Sequence, residues 1–119
     1  MIKAIALLKA RADLPHEDFV DYYETRHVPL IQSLLPETLD YRRNYLRLEG
    51  AVICEGASAP DFDVITEMRF ADRASFERMM AIATRADIAQ RIAEDEEHFL
   101  DRSRTRMFLV EERGAGPPR

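Results

Sequence analysis

Three side chains near the start of the sequence combine an acid–base group with partners that can bind a polar substrate. Tyr23, Arg26 and His27 lie within five residues of one another, and a helix would project Tyr23 and His27 from the same face. An imidazole titrates near neutral pH, so His27 can accept or donate a proton during a reaction. The Tyr23 hydroxyl and the Arg26 guanidinium can hold a substrate oxygen. These residues predict a proton-transfer site with His27 at its centre.

Each of these residues also has a purely structural interpretation. His27 could be a core histidine bonded to a backbone carbonyl that is freed by the following Pro29. Tyr23 could pack with its hydroxyl satisfied, and Arg26 could form a salt bridge with the acidic run Glu94–Glu97. Polar groups on an otherwise apolar helix face are unfavourable unless a polar partner meets them. That partner can be another side chain or a ligand.

The site belongs to an amphipathic helical stretch, Phe19–Leu35, that contains Pro29. Proline lacks an amide hydrogen, and its ring crowds the carbonyl four residues earlier. The sequence therefore predicts that the helix bends or stops at Pro29 and that Val28 is pushed toward extended geometry. Leu30 and Leu34 are predicted to continue the apolar face beyond the break. The imidazole would then lie at a helix end, where the next turn does not cover it.

The acidic run Glu94–Glu97 provides a second group of candidates. Asp95 is expected to pair with His27 or Arg26 if its helix lies beside the first one, and a buried carboxylate there would raise the basicity of the imidazole. Adjacent carboxylates on a helix point in different directions, so no metal site is predicted, and a solvated helix face is the alternative. Because the sequence contains no glycine-rich phosphate loop or dinucleotide fingerprint, no cofactor is predicted.

Composition and charge narrow the class of protein. The chain has 119 residues, of which 46% are hydrophobic and 33% charged, as expected for one globular domain at 1–113 with a disordered tail at 114–119. The formal net charge of −5 argues against a nucleic-acid partner. No apolar run approaches the roughly 20 residues of a membrane helix. The single Cys54 cannot form an internal disulfide, which is typical of the cytoplasm.

The hydrophobic periodicity predicts the element order β-α-β-β-α-β. This order is the split βαβ plan, an α+β fold in which a four-stranded antiparallel sheet carries helices on one face. The other face would expose Ile5, Leu7, Met107 and Leu109 or their neighbours, and such a patch predicts a homodimer with the sheets packed face to face. The predicted strands are Ile2–Lys9, Leu39–Leu48, Phe62–Phe70 and Arg104–Glu112, and the helices beyond the first stretch are Arg73–Met80 and Ala86–Phe99.

Several segments resemble the EthD family of small dimeric α+β barrel proteins. The most specific is an aromatic residue followed, after two positions, by Arg-His-x-Pro-Leu, formed here by Tyr23, Arg26, His27, Pro29 and Leu30. The resemblance extends from Ile2 to about Glu112, and its acidic segment contains Asp95, Glu96, Phe99 and Asp101. It implies a ferredoxin-like fold. The family is commonly classed with oxidoreductase activity, and related barrels include monooxygenases, lactone isomerases and polyketide cyclases.

The resemblance and the residues together predict a small-molecule enzyme of catabolic or secondary metabolism. We expect oxidoreductase-type or cofactor-independent proton-transfer chemistry on a hydrophobic enolisable or phenolic substrate, bound between the sheet and the helices. The predicted catalytic residues are His27 and Asp95, and the predicted substrate-binding residues are Tyr23, Arg26, Tyr45 and Phe99. Cross-strand packing explains Tyr45 equally well. One alternative is a non-catalytic ligand-binding or accessory protein for a partner oxygenase. Another is that His27 and Arg26 only connect the helix break to the acidic helix.

Overall fold

The computed structural model describes residues 1–114 and 116, and its elements follow the predicted order. The strands are β1 (Ile2–Leu8), β2 (Asp40–Tyr45), β3 (Val64–Phe70) and β4 (Arg106–Val110). The helical elements are α1 (His16–Tyr22), a π turn (Tyr23–His27), α2 (Val28–Leu34), α3 (Arg73–Ala83), α4 (Ala86–Glu96) and a 3₁₀ turn (Arg102–Arg104). Within the described ranges, none of these helices is long and apolar enough to cross a bilayer. The predicted tail falls largely outside the described residues, at 115 and 117–119.

The four strands form one antiparallel sheet in the order β2-β3-β1-β4. Strand β1 is central, and its residues alternate between the two faces as the pleat requires. Ala4, Ala6 and Leu8 are buried toward the helices, whereas Ile5 and Leu7 lie on the opposite face and are only partly buried. The ferredoxin-like α+β fold is therefore confirmed, although each strand is shorter than predicted.

The sheet face opposite the helices carries an apolar patch on β1 and β4. Phe108 pairs with Ile5 in the register and is 53% exposed. Met107 pairs instead with Ala6, so its side chain lies on the helix side. The sequence left open whether Met107 and Leu109 or their neighbours face away from the helices, and the register places the neighbour Phe108 on the open face.

The same open face becomes polar around Lys3. The Lys3 ammonium lies 2.6 Å from a carboxylate oxygen of Glu67 and 2.8 Å from one of Glu112. Arg69 contacts Glu112 at 2.9 Å, and Arg69 and Lys3 together lower the pKa of Glu112 to about 2. The open face therefore combines an apolar patch with a group of paired charges.

The first helical stretch does not stop at Pro29, and Val28 is not extended as predicted. Val28 keeps right-handed helical angles (φ −57°, ψ −49°), and its N–H donates to the Tyr23 carbonyl five residues earlier. Pro29 lies in the first turn of α2, where its missing N–H and fixed φ are tolerated. The wider π turn before it accommodates the proline ring, so the chain continues as a helix.

Every fourth residue of this stretch is buried, and these residues form one face of the helix: Phe19, Tyr23, His27, Ile31 and Leu35. Leu30 and Leu34, which were predicted to continue the face, are only partly buried. The π turn explains the difference, because the extra residue in that turn rotates α2 relative to an uninterrupted α-helix. The buried face packs on the sheet in two neighbouring clusters, one around Phe19 and the other around Phe70.

Candidate active site

His27 and Asp95 form a hydrogen-bonded pair that joins the π turn to α4. His27 Nδ1 lies 2.6 Å from Asp95 Oδ2. The second carboxylate oxygen, Oδ1, accepts a hydrogen bond from the Tyr22 hydroxyl at 2.8 Å. His27 is 5% exposed and the Asp95 side chain 12%. The two residues predicted to be catalytic are therefore in direct, largely buried contact, and of the two partners expected for Asp95 the structure selects His27.

Aromatic rings fix the orientation of the imidazole. The Tyr23 ring packs edge-on at 5.2 Å between centroids, and the Phe99 ring lies 4.9 Å away at a tilt of 51°. Tyr22 in turn packs against Phe99 at 5.0 Å. Such aromatic contacts have preferred geometries, so His27 is oriented by packing as well as by its hydrogen bond.

Burial lowers the pKa of His27 below its ordinary value of 6.5, because the imidazolium loses its hydration. The hydrogen bond and the charge of Asp95 oppose this effect without overcoming it. Asp95 does raise the basicity of the imidazole, as expected, but burial has the larger effect. At neutral pH the ring is uncharged, and an ionised carboxylate can only accept a hydrogen bond. The ring proton must then lie on Nδ1, which leaves Nε2 with a free lone pair.

His27 lines a cavity of about 460 Å³ between the sheet and the helices. This volume is typical of small-molecule sites. Among the described residues, His27 Nε2 has no hydrogen-bond partner, so it is available to a bound molecule. The apolar lining consists of Ala6, Leu8, Ile31, Leu35, Met68, Met79, Met80, Ala83, Ala89, Ile92 and Met107, and the polar lining of Tyr23, His27, Tyr41, Thr66, Thr84, Glu96, Arg102 and Thr105.

Hydroxyl groups form part of the polar lining near His27. The Tyr23 hydroxyl shares a hydrogen bond of 2.6 Å with Thr66 Oγ1, and the Tyr41 hydroxyl is a second neighbour of Tyr23. Burial raises the pKa of both phenols, so they remain protonated across the physiological range. They can therefore donate hydrogen bonds to a substrate oxygen without becoming charged.

The other residues predicted to bind substrate lie outside this lining. Arg26 is exposed and forms no ion pair with the residues that the structure describes. Phe99 is fully buried behind the imidazole. Tyr45 donates to Glu24 Oε2 at 2.5 Å, and this contact explains its burial without a ligand. Of the four predicted residues, Tyr23 is the one in the cavity wall.

A polar cluster on β2 and the π turn was missing from the sequence predictions. The Arg43 guanidinium binds both oxygens of Glu24, with Nε 2.9 Å from Oε2 and Nη2 2.7 Å from Oε1. Arg43 also lies 5.0 Å from the centre of the Tyr41 ring. The alternation of Tyr41, Arg43 and Tyr45 on one strand face was the available signal, since a half-buried arginine requires a carboxylate partner.

The described residues contain no group of three His, Cys, Asp or Glu side chains arranged to hold a metal ion. The Asp95 carboxylate is already occupied by two donors, from Tyr22 and His27.

Comparisons with known proteins agree on the family and the fold. The family model described as the EthD domain matches residues 11–103, which is more than half of the chain. Among curated proteins, no sequence matches this chain significantly.

Three solved structures illustrate the structural likeness. An EthD family protein from Bacillus halodurans is 22% identical with a TM-score of 0.63, over 95% of this chain and 99% of the other. SnoaB from Streptomyces nogalater, described as a cofactor-independent oxygenase, is 11% identical with a TM-score of 0.61, over 98% and 97%. A dimeric protein of ferredoxin-like fold and unknown function from Bacteroides fragilis is 12% identical with a TM-score of 0.54, over 93% and 95%. At these identities the likeness concerns the fold alone.

Proposed function

The chain belongs to the EthD family, and from that premise we propose that it is a small-molecule enzyme in which His27 transfers a proton. The substrate is a hydrophobic compound with an acidic C–H or O–H bond, either an enolisable carbonyl compound or a phenol. Its apolar body lies among the methionine and aliphatic side chains of the cavity. No cofactor is needed for this step.

One observation carries the proposal: an oriented imidazole, with one nitrogen free of partners among the described residues, belongs to a residue that lines a mostly apolar cavity. His27 Nδ1 is held by Asp95 at 2.6 Å, and Nε2 is without a partner among the described residues. A general base is most effective when it is deprotonated at the working pH and fixed near its substrate. The lowered pKa of His27 supports the first condition, and its packing supports the second.

The reaction begins when His27 Nε2 accepts a proton from the substrate, which becomes an enolate or phenolate. Asp95 stabilises the imidazolium that forms, as the carboxylate does in other acid–histidine pairs. The Tyr23 hydroxyl donates to the developing negative oxygen. Return of the proton to a different atom gives an isomer, and attack of the anion on a carbonyl of the same molecule gives a ring. The solved neighbour SnoaB is described as a cofactor-independent oxygenase, and reaction of the anion with O₂ would be the corresponding oxidation.

The test uses α-tetralone, an apolar ketone that enolises slowly by itself. The protein is mixed with α-tetralone in D₂O, and NMR measures deuterium entry at the carbon beside the carbonyl. We expect wild-type protein to accelerate the exchange and His27→Ala to lose about two or more decades of that rate. The control is His16→Ala, because His16 is an exposed residue at the start of α1 and should leave the rate unchanged.

Two results would contradict the enzymatic proposal. If His27→Ala exchanges α-tetralone as fast as wild type while remaining folded, His27 takes no part in proton transfer. If ligand-detected NMR shows that wild type binds α-tetralone but does not exchange it at any pH, the alternative role of a ligand-binding or accessory protein for a partner oxygenase is favoured.

We also propose that the chain forms a homodimer through the open face of its sheet. The 53% exposed Phe108, beside Ile5, gives this face an apolar patch, and the Bacteroides fragilis neighbour is described as dimeric. Light scattering coupled to size exclusion should give twice the monomer mass, and Phe108→Glu should give the monomer mass. A monomeric wild type would refute this assembly.

We further propose that the protein acts in the cytoplasm. Its single cysteine, Cys54, is exposed and unpaired, as is common in a reducing compartment.

A further inference from the structure

Glu96 follows Asp95 on α4, but its side chain lies in a different environment. Consecutive helical residues project about 100° apart. Asp95 binds His27, whereas Glu96 lines the cavity. The Glu96 side chain is 16% exposed, and its Oε1 lies 3.3 Å from Nε of Arg102, a half-exposed residue of the 3₁₀ turn that also lines the cavity. The cavity wall thus contains a carboxyl group as well as the imidazole of His27.

The surroundings of Glu96 favour its protonated form. Burial raises the pKa of its carboxyl group above the ordinary value of 4.5, and the negative charge of Asp95 acts in the same direction. The positive charge and hydrogen bond of Arg102 oppose these effects without overcoming them. His27 is shifted in the opposite direction, toward its neutral form. The two groups are thereby brought toward the state in which the imidazole accepts a proton while the carboxylic acid donates one.

We propose that Glu96 is the proton donor that completes the reaction begun by His27. The inference rests on the proposed function and specifies its substrate class: a carbonyl compound with a proton on the adjacent carbon, converted without net oxidation. His27 Nε2 takes the proton as the C–H bond breaks. The electron pair of that bond forms a C=C bond, the π pair of the carbonyl moves to its oxygen, and Glu96 delivers its own proton there to form an O–H bond. The product is an isomer of the substrate, and solvent returns a proton to Glu96 as His27 loses one.

The test compares Glu96→Gln with Glu97→Gln. Glu97 is an exposed glutamate at the end of the same helix and does not line the cavity. Exchange of α-tetralone in D₂O requires removal of the C–H proton, and a proton donated to the carbonyl oxygen lowers the barrier to that step. We expect Glu96→Gln to lower kcat by about 10²-fold with little change in KM, and Glu97→Gln to match wild type. Glu96→Asp, which keeps the acid one methylene further back, should recover part of the rate.

The pH profile separates a proton donor from a structural partner of Arg102. The wild-type rate should fall at low pH as His27 is protonated and at high pH as Glu96 loses its proton. Glu96→Gln should retain the acidic decline and lose the alkaline one. Loss of rate with an unchanged pH profile, or an unchanged rate, would overturn the role of Glu96.

The outcomes also distinguish this inference from the function on which it rests. If His27→Ala abolishes exchange while Glu96→Gln has wild-type kinetics, the role of Glu96 is wrong and the proposed function stands. If wild type shows no exchange, both are wrong. Thermal unfolding of each variant shows whether it is folded. If Glu96→Gln fails to fold, Glu96→Asp decides: a wild-type rate and pH profile refute the donor role, and a lowered rate with a shifted alkaline decline supports it.

Discussion

Replacing Asp95 with asparagine tests the chemistry of the site with a small change in shape. The substitution keeps the size of the side chain and removes the negative charge that lies 2.6 Å from His27 Nδ1. In wild type this charge favours the tautomer that carries its proton on Nδ1. An asparagine amide can either donate or accept, so the preference should disappear. The pKa of His27 should also fall further, because the interactions that oppose burial are lost.

The expected magnitude follows from the strength of the hydrogen bond. A bond to a charged acceptor contributes about 1.5–3 kcal/mol net, and each 1.4 kcal/mol is a factor of about ten. Because Asp95 and His27 are both largely buried, water screens this interaction weakly. The Nδ1–H tautomer of wild-type His27 should therefore exceed the other by roughly 10- to 100-fold. Loss of the preference and of the charge that stabilises the imidazolium should slow α-tetralone exchange by about 10²–10⁴-fold.

Long-range ¹H–¹⁵N NMR of the imidazole identifies the tautomer without a substrate, and α-tetralone exchange measures the rate. The matched control is Asp87→Asn, because Asp87 lies on the same helix but pairs with Arg85 at the surface. It should change neither measurement. The reasoning is refuted if wild-type His27 carries its proton on Nε2, or if Asp95→Asn alters neither the tautomer nor the rate.

Three further predictions concern stability. Phe99→Ala should lower the free energy of unfolding in urea by about 3–5 kcal/mol, since it removes a fully buried ring. Thr66→Val should lower it by about 1–2 kcal/mol, toward the lower part of the usual range, because the buried Tyr23 hydroxyl loses one partner and keeps Tyr41 as another. Wild-type stability should decline as pH falls below 6.5, since the unfolded chain then binds a proton that folded His27 resists; denaturation of His27→Gln across pH should lack this component.

Each stability prediction has a comparison that can contradict it. Val52→Ala, at a position 94% exposed, should change the free energy of unfolding by no more than about 0.5 kcal/mol. If Phe99→Ala changes it as little as Val52→Ala does, Phe99 is not part of the packed core. In a Tyr23→Phe background, Thr66→Val should be nearly neutral, and a full additional loss would place its cost elsewhere. Identical pH dependence of wild type and His27→Gln would show that His27 titrates alike in both states.

The fold could be predicted from sequence because its signals are local. Alternating residues define the strands, and the element order leaves few topologies. The Phe62–Phe70 alternation, for example, predicted β3 to within two residues of its start and to its last residue. Strand phase was not available, because β1 is apolar on both sides and only tertiary packing decides which side meets the helices. The sequence therefore could not decide whether Phe108 or Met107 lies on the open face, and the structure places Phe108 there.

The site was predictable as far as residue types specify chemistry. The contact between His27 and Asp95 was predicted as one of two pairings for Asp95, the other with Arg26, on the condition that the two helices lie side by side. The effect of Asp95 on the pKa of His27 was predicted in the right direction, but burial, a property of the whole structure, outweighs it and was not predicted. Tyr45 was misplaced for a related reason. Its partner Glu24 lies on the π turn, and no local pattern joins the two positions.

The π turn was not predicted, but the spacing of the buried positions indicates it. Phe19, Tyr23, His27, Ile31 and Leu35 are spaced by four, and each step of four in an α-helix drifts by about 40°. Across four steps the drift is about 160°, which would carry Leu35 away from the sheet. A turn with one additional residue reduces the accumulated drift by about 100°. The remaining drift lies within the width of an apolar helix face. A strict period of four across a proline therefore indicates a widened turn rather than a break. Because Tyr23 and His27 begin and end that turn, the same adjustment that keeps the helix face on the sheet also brings the imidazole to the cavity wall.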